Sequence, residues 1–361
     1  MSAQHQHYVP KLLLRGFLSR DARRAQQRQV HVFDFESERS FVVSIDKVMG
    51  ETRFNDFWVD DNTLASIEPW TSRIESHVAP LVERIRAEKT LERTSQEFGD
   101  LSLLVAFQFL RTKGMRLLPE RLDSQMREHV RSMGFSTNRI HGLFDLDAEG
   151  LKREHIRSQV QNIENYTKII AEKEFFLMTA PAGHPFYIGD HPVVLHNDEP
   201  KTVHRGHLGI GAPYIQIYLP ISSDVLLCAY DRAVLGQLIK ANVEARKELA
   251  RYALSKLMAG EISAAQMKSA IDTARDVDPA EAIVRAIRAG QPIAIGAEQV
   301  EVYNSLQTLF AHRFVIDPDN NFSVAREMIG ERRSVMQDKK AGETEDLAAK
   351  HFPAADFFAT R

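Results

Sequence analysis

Val30-His31-Val32-Phe33-Asp34-Phe35 and Ser40-Phe41-Val42-Val43-Ser44-Ile45 are two runs of β-branched and aromatic residues joined by the polar Glu36-Ser37-Glu38-Arg39. Such residues suit a pleated backbone, and the short polar joint folds one run back on the other, so the pair reads as a β-hairpin. The period then lengthens. Ile67, Trp70, Ile74, Val78, Leu81, Val82 and Ile85 recur at helical spacing, with Pro69 marking a start and Pro80 a break or kink. Thr94 followed by Glu97 is a capping-box pattern, and the helix it opens (Phe98, Leu101, Leu104, Val105, Leu110) is apolar nearly all round, which places it centrally. From Leu151 to Lys173 a narrower apolar stripe predicts a helix on the surface of the helical layer.

Strand patterning returns in Phe175 to Thr179, Phe186 to Ile188, Ile215 to Leu219 and Val225 to Ala229, each bounded by turn-forming residues. Val234 to Met258 and the Ala-rich Ala264 to Ala289 read as helical. A last helix, Glu298 to His312, leads into Phe314-Val315-Ile316-Asp317, stopped by Pro318. The expected fold is therefore α+β: one mostly antiparallel sheet, shared by the N-terminal hairpin and the later strands, packed on a helical layer.

A chain of 361 residues with 43% apolar content can bury a large core and is not disordered as a whole. Its 46 basic and 49 acidic residues nearly cancel, so no global field draws it to nucleic acid or anionic lipid, and any polyanion contact is local. Arg15, Arg20, Arg23, Arg24 and Arg28 make the first thirty residues basic, a pattern that a solvated loop explains without a ligand. The lone Cys228 leaves no internal disulfide or cysteine zinc cluster and fits a reducing compartment, so a cytoplasmic location is expected. His5, His7 and Lys11 interrupt any signal-peptide pattern, and the most apolar window, Leu101 to Leu110, is about half the length a bilayer needs, so no membrane partner is expected.

The opening Gln6-His7-Tyr8-Val9-Pro10, with Leu14, Arg15 and Phe17, is followed in order by Val32-Phe33-Asp34, Phe107-Gln108-Phe109-Leu110-Arg111-Thr112, Gly189-Asp190-His191-Pro192-Val193, Tyr218-Leu219-Pro220-Ile221-Ser222, and Asn304 before Arg313-Phe314-Val315. From about Gln4 to Pro318 this resembles the bacterial family catalogued as domain of unknown function 4238. The resemblance implies a shared fold and a shared polar constellation and supplies no reaction. The family's usual serine before the aspartate is Gly189 here. The stretch from about 241 to 295 has no counterpart and is taken as a helical insertion, available to a protein partner, within one domain over residues 1–320. Residues 321–361 are charged and read as a loosely ordered tail.

The resemblance implies that His7, Arg15, Gln108, Arg111, Asp190 and Asn304 gather around one cleft, with His191 beside them. Residue chemistry gives each a role and a structural alternative. Pro192 holds His191 extended at a strand end, and Pro10 stiffens the segment carrying His5 and His7, so His7, Asp190 and His191 would form a general acid/base cluster or hold a divalent metal. The alternative is an Asp that caps a turn and histidines that pack. No His-Glu-x-x-His helix or EF-hand loop accompanies them. Gln108 and Arg111 share a helix face, and a buried Arg111 requires a carboxylate, carbonyls or an anionic ligand. Gly206, Gly209 and Gly211 lack the strand-turn-helix setting of a phosphate loop, and Ser222-Ser223-Asp224 lacks a nucleophile elbow, so both read as turns.

Two functions fit these residues. One is a hydrolase of a phosphate-containing substrate, phosphodiesterase- or nuclease-like, in which His7, Asp190 and His191 activate water and Arg15, Gln108, Arg111 and Asn304 bind substrate. The other is a non-catalytic recognition module whose polar motifs are structural or bind an anion. Convergence in an open pocket favours the first; burial against backbone favours the second.

Overall fold

The hairpin between Val30 and Ile45 forms, as strands Gln29–Asp34 and Arg39–Ser44 paired antiparallel. It shares a sheet with two of the later strands and not with the rest. In the computed structural model, which describes residues 5–60, 62–136, 147–197, 208–269 and 279–331, the hairpin lies in a four-stranded sheet ordered Arg39–Ser44, Gln29–Asp34, Phe314–Asp317, Ile188–Gly189. A separate five-stranded sheet is ordered Ile293–Ala294, Glu174–Thr179, Val225–Tyr230, Gln216–Ser222, Val194–His196. Two short ladders, His5–His7 with Gly50–Thr52 and Asp56–Trp58 with Leu64–Ser66, complete the described strands. The shared sheet is thus found in part, with the remaining strands in a second sheet: alternation identifies strands, but either set of edges could have accepted the hairpin. All described pairings are antiparallel except Ile293–Ala294 alongside Met178–Thr179, so the α+β class with antiparallel sheets holds.

One core nevertheless joins the two sheets. Leu13, Phe17, Val32 and Ile45 from the N-terminal region pack in one buried cluster with Val82, Leu104 and Val105 from the helices and Phe175, Leu177, Leu219 and Leu227 from the five-stranded sheet. The alternate residues of those strands, Phe176, Met178, Tyr218, Leu226 and Cys228, turn to the other face and meet Val300, Tyr303 and Leu306. Helices therefore cover both faces of this sheet, which is why Val225–Tyr230 is buried throughout rather than alternating. Gly16 marks the closest approach: a Cβ there would lie 2.6 Å from the Ile221 carbonyl oxygen and 2.8 Å from Ser222 Cα, while Ser223 N–H donates to the Gly16 carbonyl at 3.0 Å.

The helices follow their periodicity. Glu68–Glu88 has Pro69 in its first turn and contains Pro80. Ser95–Leu110 is capped by Thr94, whose hydroxyl accepts from the Glu97 amide, but the Glu97 carboxylate turns to the Arg93 amide and to Arg84 instead of closing the box. Ala148–Ala171, capped by Asp147, packs on it, with Tyr166 stacked on Phe109. The stretch from about 241 to 295, read as a helical insertion, also supplies core and a sheet strand. Arg232–Met258 and Pro279–Arg288 are helical, yet Ile287 is buried, Ile293–Ala294 is a sheet edge, and Ile295 N–H donates to the Thr179 carbonyl.

The tail read as beginning at 321 lies outside the described residues from 332 onward; before that, Phe322 and Ala325 are buried with Phe33, Tyr187 and Val315 around the short helix Ser323–Glu327. Gly206 likewise falls outside the described residues. Among the described residues, no helix is long and apolar enough to cross a membrane.

Candidate functional site

The opening strand His5–His7 runs extended into Pro10, which precedes the short helix Lys11–Leu14. Gln6 ties it inward: its amide nitrogen donates to Asp56 Oδ1 at 2.7 Å and its oxygen accepts from the Asn55 amide at 2.6 Å. The His7 ring donates through Nε2 to the Ile45 carbonyl at 2.9 Å and meets the His5 ring edge-on. Burial lowers its pKa to about 4 against that bond, and Lys11, His5 and Arg111 push the same way, so His7 is neutral near pH 7.

The helix Ser95–Leu110 grips the same strand by its backbone. Gln108 donates to the Tyr8 carbonyl at 3.1 Å, and Arg111 donates to the His7 carbonyl at 2.5 Å and to Glu75 at 2.6 Å while its guanidinium lies 4.4 Å from the Phe107 ring centre. A fully buried guanidinium requires such partners, and Arg111, at 1% exposure, has a carboxylate, a carbonyl and an aromatic face.

Asp190 follows the two-residue strand Ile188–Gly189 and is wholly buried. Its Oδ1 accepts from the His312 amide at 2.6 Å, and its Oδ2 accepts from the Arg313 and Phe314 amides at 2.8 and 3.1 Å. Both oxygens thus bind the three successive amides that open the Phe314–Asp317 strand. His191 shares a hydrogen bond with Thr112 at 2.6 Å and stacks on Phe310. From Ala297–Phe310, Asn304 accepts from the Tyr187 amide and donates to the Pro185 carbonyl, and Gln307 accepts from the Gly189 amide and donates to the Pro192 carbonyl. A Cβ at position 189 would lie 3.2 Å from two Gln307 oxygens, so the absent serine leaves room for this clamp.

His7, Gln108 and Arg111 are therefore brought together, and His191 joins them through Thr112, the residue after Arg111. Asp190 approaches the same place: after burial, its charge is the largest influence holding the Tyr8 hydroxyl above its ordinary range. Arg15 and Asn304 are not part of this group. Arg15 is exposed on the turn Arg15–Phe17 and acts electrostatically on Arg86, while Asn304 belongs to the clamp on Pro185 and Tyr187. Among the described residues, no three His, Cys, Asp or Glu side chains are placed to hold a metal ion.

The gathered residues back a cleft without lining it. The cleft, about 290 Å³, is walled by Tyr8, Lys47, Glu51, Lys113, His312 and Arg313 over an apolar floor that includes Phe41 and Phe314. Arg313 makes two bonds to Asp34, at 2.9 and 2.8 Å, and one ion pair to Glu36. Burial of Asp34 is outweighed by those bonds and by the Glu36 amide, so its carboxyl sits below the ordinary value and Arg313 above. Lys113 pairs with Glu51 at 2.5 Å, and Lys47 is exposed. Tyr8, Lys113 and Arg313 were not singled out as site residues from the sequence, although Tyr8 and Arg313 stand inside the quoted motifs and Lys113 directly follows one. Alternation along the extended segment turns Tyr8 away from His7, a signal that could have found Tyr8; no period marks Lys113 or Arg313.

A family model described as "Protein of unknown function (DUF4238)" matches residues 5–321. No curated protein and no solved structure matches the chain.

Proposed function

The chain belongs to that family, protein of unknown function DUF4238, and from its own geometry we propose a non-catalytic recognition module that takes a small phosphate-bearing ligand in the cleft between Tyr8 and Arg313. The observation that carries this reading is the occupation of the Asp190 carboxylate by three backbone amides. A general base needs a free lone pair aimed at its substrate, and Asp190 presents neither oxygen to the cleft wall. His7, whose Nε2–H goes to the Ile45 carbonyl, does not line the cleft either. The open wall instead carries Lys47 beside Lys113, which pairs with Glu51, and Arg313, which pairs with Asp34 and Glu36, over aromatic residues, an arrangement in which Lys47 leads and the two paired cations can turn to an anion with an apolar body.

Calorimetry with inorganic phosphate and nucleoside monophosphates tests the proposal. Saturable binding by the wild type, weakened several-fold in Lys47→Ala and Lys113→Ala without loss of fold, is the expected result. Absence of binding across that panel would overturn it. Turnover of a phosphodiester substrate that Asp190→Asn abolishes at unchanged melting temperature would establish the hydrolase reading instead.

A further inference from the structure

At the far end of the Phe314–Asp317 strand, Asp317 begins the run Asp317-Pro318-Asp319-Asn320-Asn321. Its Oδ1 accepts from the Asp319 and Asn321 amides at 2.7 and 3.0 Å. Its Oδ2 is buried and has no hydrogen-bond partner, and the residue is 1% exposed. An ionised carboxylate oxygen stripped of water and left unpaired is costly unless something positive meets it. Asp317 lines a small pocket of about 40 Å³, together with Glu301, Asn321, Ser323 and Tyr187, and neither lysine nor arginine is among the lining residues.

We propose that this pocket binds a divalent cation of calcium's size, with Asp317 Oδ2 as the buried ligand and Glu301 as the second carboxylate. The surrounding donors are oxygens: carboxylates, the Asn321 side chain and the Ser323 hydroxyl, a hard set that suits calcium or magnesium over softer metals. They come from four places, a strand end, a turn, the first residue of the helix Ser323–Glu327 and the helix Ala297–Phe310, and calcium tolerates such irregular placement where magnesium demands an octahedron. Two carboxylates and neutral oxygens leave positions for water, which fits a weak site, on the order of 0.1–1 mM. Asp319 cannot supply the second charge, because its carboxylate pairs with Arg20 at 2.6 Å. Burial holds the Asp317 carboxyl at about 6, with Asp319 reinforcing and the two amides and Arg20 opposing. His184, Tyr187, Glu301 and Arg326 are the other titratable or charged groups around the pocket. This site shares no residue with the cleft, so either can fail without the other.

Terbium luminescence excited through tyrosine reads the site directly, since Tyr187 lines the pocket. The expected result with the full chain is saturable emission, displaced by calcium, lost in Asp317→Asn and weakened about tenfold in Glu301→Gln, which removes one unit of ligand charge. Emission that does not saturate, or that survives Asp317→Asn unchanged, overturns the proposal. Should Asp317→Asn fail to fold, the exposed Glu301 decides: affinity unchanged in Glu301→Gln is also a refutation. Thermal melts in calcium, magnesium and sodium chloride at matched ionic strength separate a site from a salt effect, and equal shifts in all three count against it.

Discussion

Asp190 and Asp317 stand at the two ends of one strand, equally hidden from solvent, and they behave as opposites. Asp190 gives both oxygens to the amides of His312, Arg313 and Phe314. Asp317 gives one oxygen to two amides and leaves the other without a partner. Burial alone therefore does not mark a carboxylate as functional. What distinguishes them is whether the fold has used up the lone pairs: it has at Asp190, whose order in the sequence drew the eye, and has not at Asp317, which no motif advertised.

The largest effect that sharpens this contrast is expected from Asp190→Ala, which strips three buried amides of their acceptor and should cost about 3–4 kcal/mol in denaturant melts. Asp190→Asn retains only one accepting oxygen for amides that approach both, and its new N–H₂ faces a donor, so a loss of about 2 kcal/mol is expected rather than the smaller cost of an ordinary cap. A melt unchanged in both would break the comparison. Asn304→Ala and Gln307→Ala each abandon a backbone amide and a carbonyl of the Pro185 to Pro192 segment and should each cost about 1–3 kcal/mol by the same measurement.

Acid should act next. His7 is lowered to about 4 and His155 to about 3, both first by burial, against about 6.5 in the unfolded chain. The unfolded state binds more protons in this window, so these histidines contribute stability that is fully present above pH 6.5 and is lost as pH falls through 4. In His7→Gln the side-chain amide can still donate to Ile45 but does not titrate, so its profile should be flatter there. The smallest effect belongs to Asp317. Its carboxyl is raised, so its contribution is present below the unfolded value and lost as pH rises through about 6. With a chelator present, Asp317→Asn should gain melting temperature relative to wild type on going from pH 5 to pH 8, by about 2 °C. A gain that is larger at pH 5 reverses the sign and sinks the assignment.

The hairpin, the long helices and the Phe314–Asp317 strand were legible because each repeats an apolar period over several turns or pleats. Sheet partnership was not: Ile188–Gly189 and Ile293–Ala294 have two residues each, too short to show any period, yet they set the edges of both sheets. At the site, the family resemblance grouped His7, Arg15, Gln108, Arg111, Asp190 and Asn304 with His191 beside them; the structure brings His7, Gln108 and Arg111 together and links His191 through Thr112, but leaves Arg15 and Asn304 elsewhere. The sequence could not show that most of their partners are backbone carbonyls and amides, since every residue carries these and none is distinctive. Arg15 was misplaced for a related reason. Adjacency to a motif says nothing about which way a side chain leaves a tight turn.

The four-stranded sheet imposes an order on synthesis. Its inner strands, Gln29–Asp34 and Phe314–Asp317, are hydrogen-bonded neighbours separated by nearly the whole chain. As the polypeptide leaves the ribosome, the hairpin can close early, but its inner edge keeps open amides and carbonyls until the last strand arrives. At about 5–20 residues per second, that interval is roughly 14–60 seconds. During it the Val30 to Asp34 edge is a template for pairing with another nascent chain. A chain stalled or cut before Phe314 would leave that edge unpaired permanently, and such products should aggregate even where every earlier helix has formed.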